Sequence, residues 1–172
     1  MNKVYLYSDG SARGNPGPGG YGTVLKFWDG NGELHVKEMS QGYKLTTNNR
    51  MELLGVITGL EALKYPCDVK VISDSKYVVD AFNNHWVDYW VTHNFRKSDK
   101  KPVKNRDLWE RLLEAAKPHQ LTFEWVKGHV GHPENERCDE LATTAADGNN
   151  LEEDKGFTPD EADNPDQMKL DV

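Results

Sequence analysis

The feature that most constrains this chain is a change of hydrophobic period near residue 48. Before it, VYLYSDG, YGTVLKFWD and ELHVKEMSQGY are short runs rich in β-branched and aromatic residues. The Gly/Pro loop GNPGPGG and the turn Asp29-Gly30-Asn31-Gly32 separate them, which is the chemistry of antiparallel connections. A three-stranded meander follows. After it, Met51, Leu53, Leu54, Ile57, Leu60 and Leu63 recur at helical spacing, with Thr47 or Asn48 able to cap the start and Tyr65-Pro66 to end the run.

Beyond Pro66 the pattern alternates. DVKVISD is a short apolar strand, and SKYVVDAFNN is a short helix that Ser75 can cap. A strand, helix, strand order implies parallel pairing through a right-handed crossover. HWVDYWVTHNF carries Trp86, Trp90 and Phe95 near helical spacing, and the basic segment RKSDKKPVKNR follows, with Pro102 marking a loop. Asp107 to Ala116 is an amphipathic helix, LTFEWVKG a last strand, and Glu134 to Ala146 a last helix. The order predicts a mixed α/β sheet covered by helices.

At 172 residues the chain is expected to form one catalytic-size domain, with residues 1–147 carrying the pattern. The amino terminus enters a strand pattern with no basic and apolar leader, and no apolar stretch approaches the roughly 18 residues of a membrane span. A cytoplasmic protein without membrane contact is therefore expected. Cys67 and Cys138 are far apart and lack metal-ligand spacing, so free buried thiols are expected. Of the net charge of −7, six units fall after Asp147, where eight acids face Lys155 and Lys169. Residues 148–172, with few apolar side chains, several prolines and this charge excess, read as an acidic, disordered tail. Its plain role is solubility; a sharper one is competition with nucleic acid for the basic segment, or binding of an unknown partner.

Acids stand where apolar elements end. Asp9 and Asp74 each follow a run that would be buried, Glu52 lies on the first turn of the helix from Asn48, and Asp139 lies on the last helix. Gathered carboxylates repel one another and lose hydration, so a fold that gathers them holds a cation or performs acid–base chemistry. Strand ends at a topological switch form the ligand crevice of an open α/β sheet. Carboxylates without His or Cys suit Mg²⁺ or Mn²⁺, which favours phosphoryl chemistry. Each acid alone is better read as a turn residue or a surface charge; the case rests on their company. A glycine-rich loop follows Asp9, and amides and an arginine flank Glu52 in TTNNRMEL.

Two further groups stand out. His129, in the Gly-containing loop before the helix of Asp139, has a side chain suited to moving a proton near neutral pH or to helping product depart; His132 precedes Pro133 and reads as structural. The stretch from Trp86 to Trp109 interleaves aromatics with Arg96, Lys97, Lys100, Lys101, Lys104, Asn105 and Arg106, the composition of a nucleic-acid groove. Trp90 is expected to be core, while Trp86 and Trp109 are expected to meet a sugar or phosphate.

In order, SDGSARGNPGPGGYG, TTNNRMEL, ISDSKYV, DKKPVKNRDLW and WVKGHVGHPENERCDELA resemble bacterial ribonuclease H of type 1, over nearly everything before the tail. That resemblance implies a ribonuclease H-like α/β fold: a five-stranded mixed sheet, three strands antiparallel and two parallel, flanked by helices. It implies a monomeric two-metal endonuclease that cuts the RNA strand of an RNA–DNA hybrid without sequence preference, leaving a 5′-phosphate and a 3′-hydroxyl. Asp9, Glu52, Asp74 and Asp139 match the family's metal-binding carboxylates, for two Mg²⁺ with substrate bound or Mn²⁺, and His129 matches its mobile histidine. The minor-groove path would run along Gly10, Ser11, Ala12, Gly14, Asn15, Asn48, Asn49 and Lys76, where 2′-hydroxyls identify RNA. Trp86, Lys104, Asn105 and Trp109 would meet the DNA strand.

The chain departs from the pattern at Val91, Thr92 and His93, where relatives carry Lys and Arg, and at Lys76, where they often carry a neutral amide. A raised Michaelis constant with retained activity is the expectation. Two alternatives stand beside it: another nuclease or strand-transferase of the same fold, and a hybrid-binding module that has lost catalysis. The intact acids and His129 argue against the second.

Overall fold

The computed structural model describes residues 1–128 and 131–159. Three long strands come first: β1 (Asn2–Ala12), β2 (Gly17–Trp28) and β3 (Leu34–Thr46). They pair antiparallel in sequence, with Asp9 opposite Gly22 and Tyr21 opposite Gln41. The second turn closes because Asp29 Oδ1 accepts the N–H groups of Asn31 and Glu33 while Gly32 takes φ +78°.

Helix α1 (Asn48–Glu61) then begins where the period changes. Thr47 is its cap, its side chain accepting the Arg50 N–H at 3.2 Å. The chain continues through β4 (Cys67–Ser73), α2 (Lys76–Asn83), α3 (Trp86–Thr92), α4 (Arg106–Ala116), β5 (Gln120–Trp125) and α5 (Pro133–Asp147). Ser75 caps α2 by accepting the Val78 N–H. Strands β4 and β5 extend the sheet in parallel from β1, giving the order β5-β4-β1-β2-β3 with a sixth strand beyond β3.

The sixth strand, β6 (Leu151–Glu152), was expected to be tail. It pairs in parallel with Gly42 and Tyr43 at the edge of β3. The five-stranded sheet of the sequence reading is thus a six-stranded one. Residues 148–159, expected as a disordered appendage, are built into the fold: Asp154 is buried against Arg50, which supplies what the polar segment lacks in apolar surface. Residues 160–172 lie outside the described residues. Element bounds also shift slightly: the last strand ends at Trp125, and the last helix starts at Pro133, a favoured first helical residue.

Opposite faces of the sheet carry different helices. The Thr23 hydroxyl donates to the Gly55 carbonyl of α1 at 2.6 Å, whereas a Cβ on neighbouring Gly22 would collide with the Cys138 carbonyl of α5. Successive residues of a strand face opposite ways, so α1 and α5 sandwich the sheet. On the α1 side Leu6, Val69, Val71, Leu53, Ile57, Leu60 and Leu112 form one wholly buried core that extends to Trp90 and Trp109. Both cysteines are buried and free, as expected. No helix among the described residues is long and apolar enough to cross a membrane.

Candidate active site

Parallel register brings the first two acids level. Ser8 of β1 lies beside Ser73 of β4, so Asp9 and Asp74, one residue on, stand side by side where the pairing of β1 with β4 ends. Glu52 reaches them because α1 starts directly against the end of β1. A Cβ on Gly10 would collide with the backbone of Met51 and Glu52, so only glycine admits that approach. Carboxylate oxygens of Asp9, Glu52 and Asp74 all lie within 4.8 Å of one another. The bare backbone of Gly20 and Gly22 lets α5 settle onto β2, and Asp139 comes to the same cleft, a cavity of about 360 Å³.

The electrostatics are unfavourable as they stand. Burial, then the charges of Asp74 and Asp139, push the Asp9 pKa up to about 8. Glu52 is raised well above the ordinary carboxylate range, by burial first and then by Asp9 and Asp74. Its Oε2 is buried with no hydrogen-bond partner. Neither Asp9 nor Glu52 forms an ion pair with Lys or Arg among the described residues. A hard divalent cation would satisfy this donor set: several close carboxylate oxygens, one of them buried and unpartnered, and no thiolate or imidazole among the three.

A second acidic group provides a control. Asp29, Glu33 and His35 also lie close together, but at the exposed β2–β3 turn. There the Asp29 carboxylate is already used, one oxygen by the turn's N–H groups and the other by His35 Nε2 at 2.8 Å. These contacts, His35 first, lower the Asp29 pKa. At the turn, satisfied contacts lower the Asp29 pKa; in the cleft, Asp9 and Glu52 go the opposite way.

Of the expected substrate positions, Gly10, Ser11, Asn48, Asn49 and Lys76 line the cleft. Lys76 Nζ stands 4.8 Å over the Trp125 ring, whose Nε1 donates to the Asp74 carbonyl at 2.9 Å. Ala12 ends β1, and Gly14 and Asn15 belong to the loop after it: the Ala12 N–H donates to Asn48 Oδ1, Asn15 Oδ1 accepts the Asn48 N–H at 3.0 Å, and Gly14 takes φ +84°. Trp86 and Lys104 are half-buried on the basic side.

Two expectations are corrected. Trp109 is 0% exposed, packed against Tyr77, Phe82 and Trp90, and Asn105 is 1% exposed. Neither side chain offers a surface to a ligand, because α4 turns the face of Leu108, Trp109 and Leu112 into the core. They support the cleft from below instead. His129 lies outside the described residues; its neighbour Gly128 sits against the Asp74 carboxylate, where a Cβ would approach Oδ2 to 2.6 Å. Sequence reasoning passed over Tyr77, which lines the cleft, and noted Arg50 only as a neighbour of Glu52; it lies wholly buried, two residues before Glu52. The only signal for Arg50 was its position inside a helix of apolar residues.

Comparison with known proteins places these observations in a family. The RNase H family model matches residues 1–147. A ribonuclease H of Lachnoclostridium phytofermentans is 61% identical over 153 residues, 88% of this chain and 97% of that protein. The crystal structure of a type 1 RNase H with the type 2 active-site motif superposes with a TM-score of 0.75 at 30% identity, covering 85% of this chain and 72% of the other. Another, an RNase H1 in complex with RNA/DNA hybrid, gives 0.59 at 26% identity, covering 84% and 96%.

Proposed function

The chain belongs to the ribonuclease H family, and on that premise we propose that it is an endonuclease hydrolysing the RNA strand of RNA–DNA hybrids, without sequence preference. The observation that carries this reading is the convergence of Asp9, Glu52 and Asp74 at the end of a cleft whose wall bears the amides Asn48 and Asn49. Duplex RNA-containing helices are read through shape and 2′-hydroxyls, for which backbone N–H groups and amides are suitable partners. The products are a 5′-phosphate and a 3′-hydroxyl.

Asp9, Glu52 and Asp74, with Asp139, are the residues that would hold Mg²⁺ or Mn²⁺. When bound, such ions supply Lewis-acid activation of water and stabilisation of charge on the leaving oxygen. The residues of the chain do the rest. Glu52 and Asp9, whose mutual repulsion such a cation would offset, would supply its carboxylate ligands at the foot of the cleft. Asn48 and Asn49 hold the sugar–phosphate path against the cleft, and Lys76 adds a cation on the opposite wall. His129, at neutral pH, donates a proton to the departing 3′ oxygen or eases product exit. Trp86, half-buried, and the lysines after Phe95 take the DNA strand by phosphate contact. We place the enzyme in the cytoplasm as a monomer.

The decisive experiment is cleavage of a labelled RNA–DNA hybrid by the wild-type chain and by Asp9→Asn, with Mg²⁺ or Mn²⁺ present. Wild type cuts and the variant does not. Absence of cutting by wild type with either ion, or cutting of duplex DNA in preference to hybrid, defeats the reading.

A further inference from the structure

A line of buried polar side chains runs under the floor of the cleft. Arg50 donates Nε and Nη2 to Asp154 at 2.7 and 3.0 Å, and Nη1 and Nη2 to Asp107 at 2.9 and 2.7 Å. Its Nη1 also reaches Asn105 Oδ1 at 3.3 Å. Asn105 Nδ2 in turn donates to the Tyr77 hydroxyl at 3.1 Å, which accepts Trp109 Nε1 at the same distance. Tyr77 lines one wall of the cleft, and Asn48 and Asn49, just before Arg50, line the other. The two walls are thus tied together from beneath.

Asp154 is the end of this line that comes from the segment after α5. Its carboxylate is 5% exposed, against 44% for Asp107, so its bond to Arg50 is the less screened of the two. Asp154 Oδ2 also accepts the Thr46 hydroxyl at 2.7 Å, and Thr46 precedes the cap residue Thr47. One carboxylate therefore grips the start of α1 on both sides of its cap. Gly156 closes over the pair so tightly that a Cβ there would collide with Asp107.

We propose that Asp154 is a positioning residue for hybrid cleavage: it sets the first turn of α1, and with it the substrate-facing amides of Asn48 and Asn49. The inference rests on the hybrid-cleaving reading of the cleft. Its effect falls on substrate binding more than on the chemical step, for a geometric reason. Met51 and Glu52 are wedged independently against Gly10, so the metal-binding carboxylate keeps its place when the grip is lost. Asn48 and Asn49 lie on the other side of Arg50, held by the cap, by the loop contacts of Ala12 and Asn15, and by this clamp.

The test is steady-state hybrid cleavage by full-length Asp154→Asn and Thr46→Val, at saturating Mg²⁺ and well below each melting midpoint. Asn retains the shape but turns an N–H donor toward the guanidinium; Val removes only the Thr46 hydroxyl and keeps its volume. For Asp154→Asn, KM rises about tenfold with kcat within about twofold of wild type, and for Thr46→Val KM rises about threefold. A melting midpoint lowered in either folded variant with KM unchanged makes the clamp structural only and overturns the proposal, as does a fall in kcat without a change in KM. Should Asp154→Asn fail to fold, Thr46→Val decides alone. Wild type that does not cleave removes the premise itself, an outcome separate from wild-type KM in the variants.

Discussion

Two buried charge clusters lie two residues apart on α1, and they are built on opposite plans. Around Arg50, two carboxylates and an amide surround one cation, and its N–H groups meet acceptors. Around Glu52, carboxylates face carboxylates, and a buried oxygen has no partner. The first cluster is complete within the chain; the second is complete only with something from outside. The difference separates structural charge from functional charge more sharply than burial does, since Arg50 and Glu52 are both buried.

The largest test of this contrast is Asp9→Asn. Removing a ligand charge lowers hybrid cleavage by at least about 10³-fold. In the absence of divalent metal near pH 8, the same variant melts about 5 °C above wild type, because it relieves repulsion. A fall in that midpoint would show that the cleft acids stabilise the fold after all.

Arg50→Met sits on the other side. It strands Asp154 in a buried position and costs about 3 to 5 kcal/mol, read from urea unfolding. Glu52→Gln, two residues away, leaves metal-free stability unchanged or higher. Equal losses from the two substitutions would erase the distinction.

A smaller effect lies in pH. The folded-state pKa of Asp9, about 8, exceeds its unfolded value, so the folded chain binds the extra proton. Its contribution is fully present below about pH 4 and is lost as the pH rises through about 8. Mg²⁺ therefore raises the melting midpoint more near pH 8 than near pH 5, as differential scanning calorimetry would record. The reverse order contradicts the assignment.

The smallest concerns the basic side, far from either cluster. Val91 is 54% exposed on α3, with Thr92 and His93 beside it also exposed. Lysines at 91 to 93 lower KM for hybrid several-fold at low salt and steepen its salt dependence, leaving kcat alone. An unchanged salt slope would place hybrid binding elsewhere.

How much of this was legible depends on the range of the signal. Turn residues, the Thr47 and Ser75 caps and the change from strand to helical period are local, so the element order as far as α5 followed from the sequence. The meeting of Asp9 and Asp74 followed from parallel pairing, and Glu52 from its place on a first turn. Trp109 was misjudged because the basic residues before it outweighed its register with Leu108 and Leu112, which marks the buried face. Asp154 carried no local sign at all. In a run of acids it is distinguished only by a cation 104 positions earlier, and a two-residue strand leaves no periodicity to read.

That separation has a consequence for the order in which the protein is made. Arg50 leaves the ribosome inside a helix that becomes buried, 104 residues before the carboxylate that neutralises it most deeply. A growing chain can form the sheet and seat α1, yet the guanidinium stays only partly compensated until residue 154 has emerged. Completion of the clamp beneath the cleft is thereby linked to emergence of the segment that follows α5.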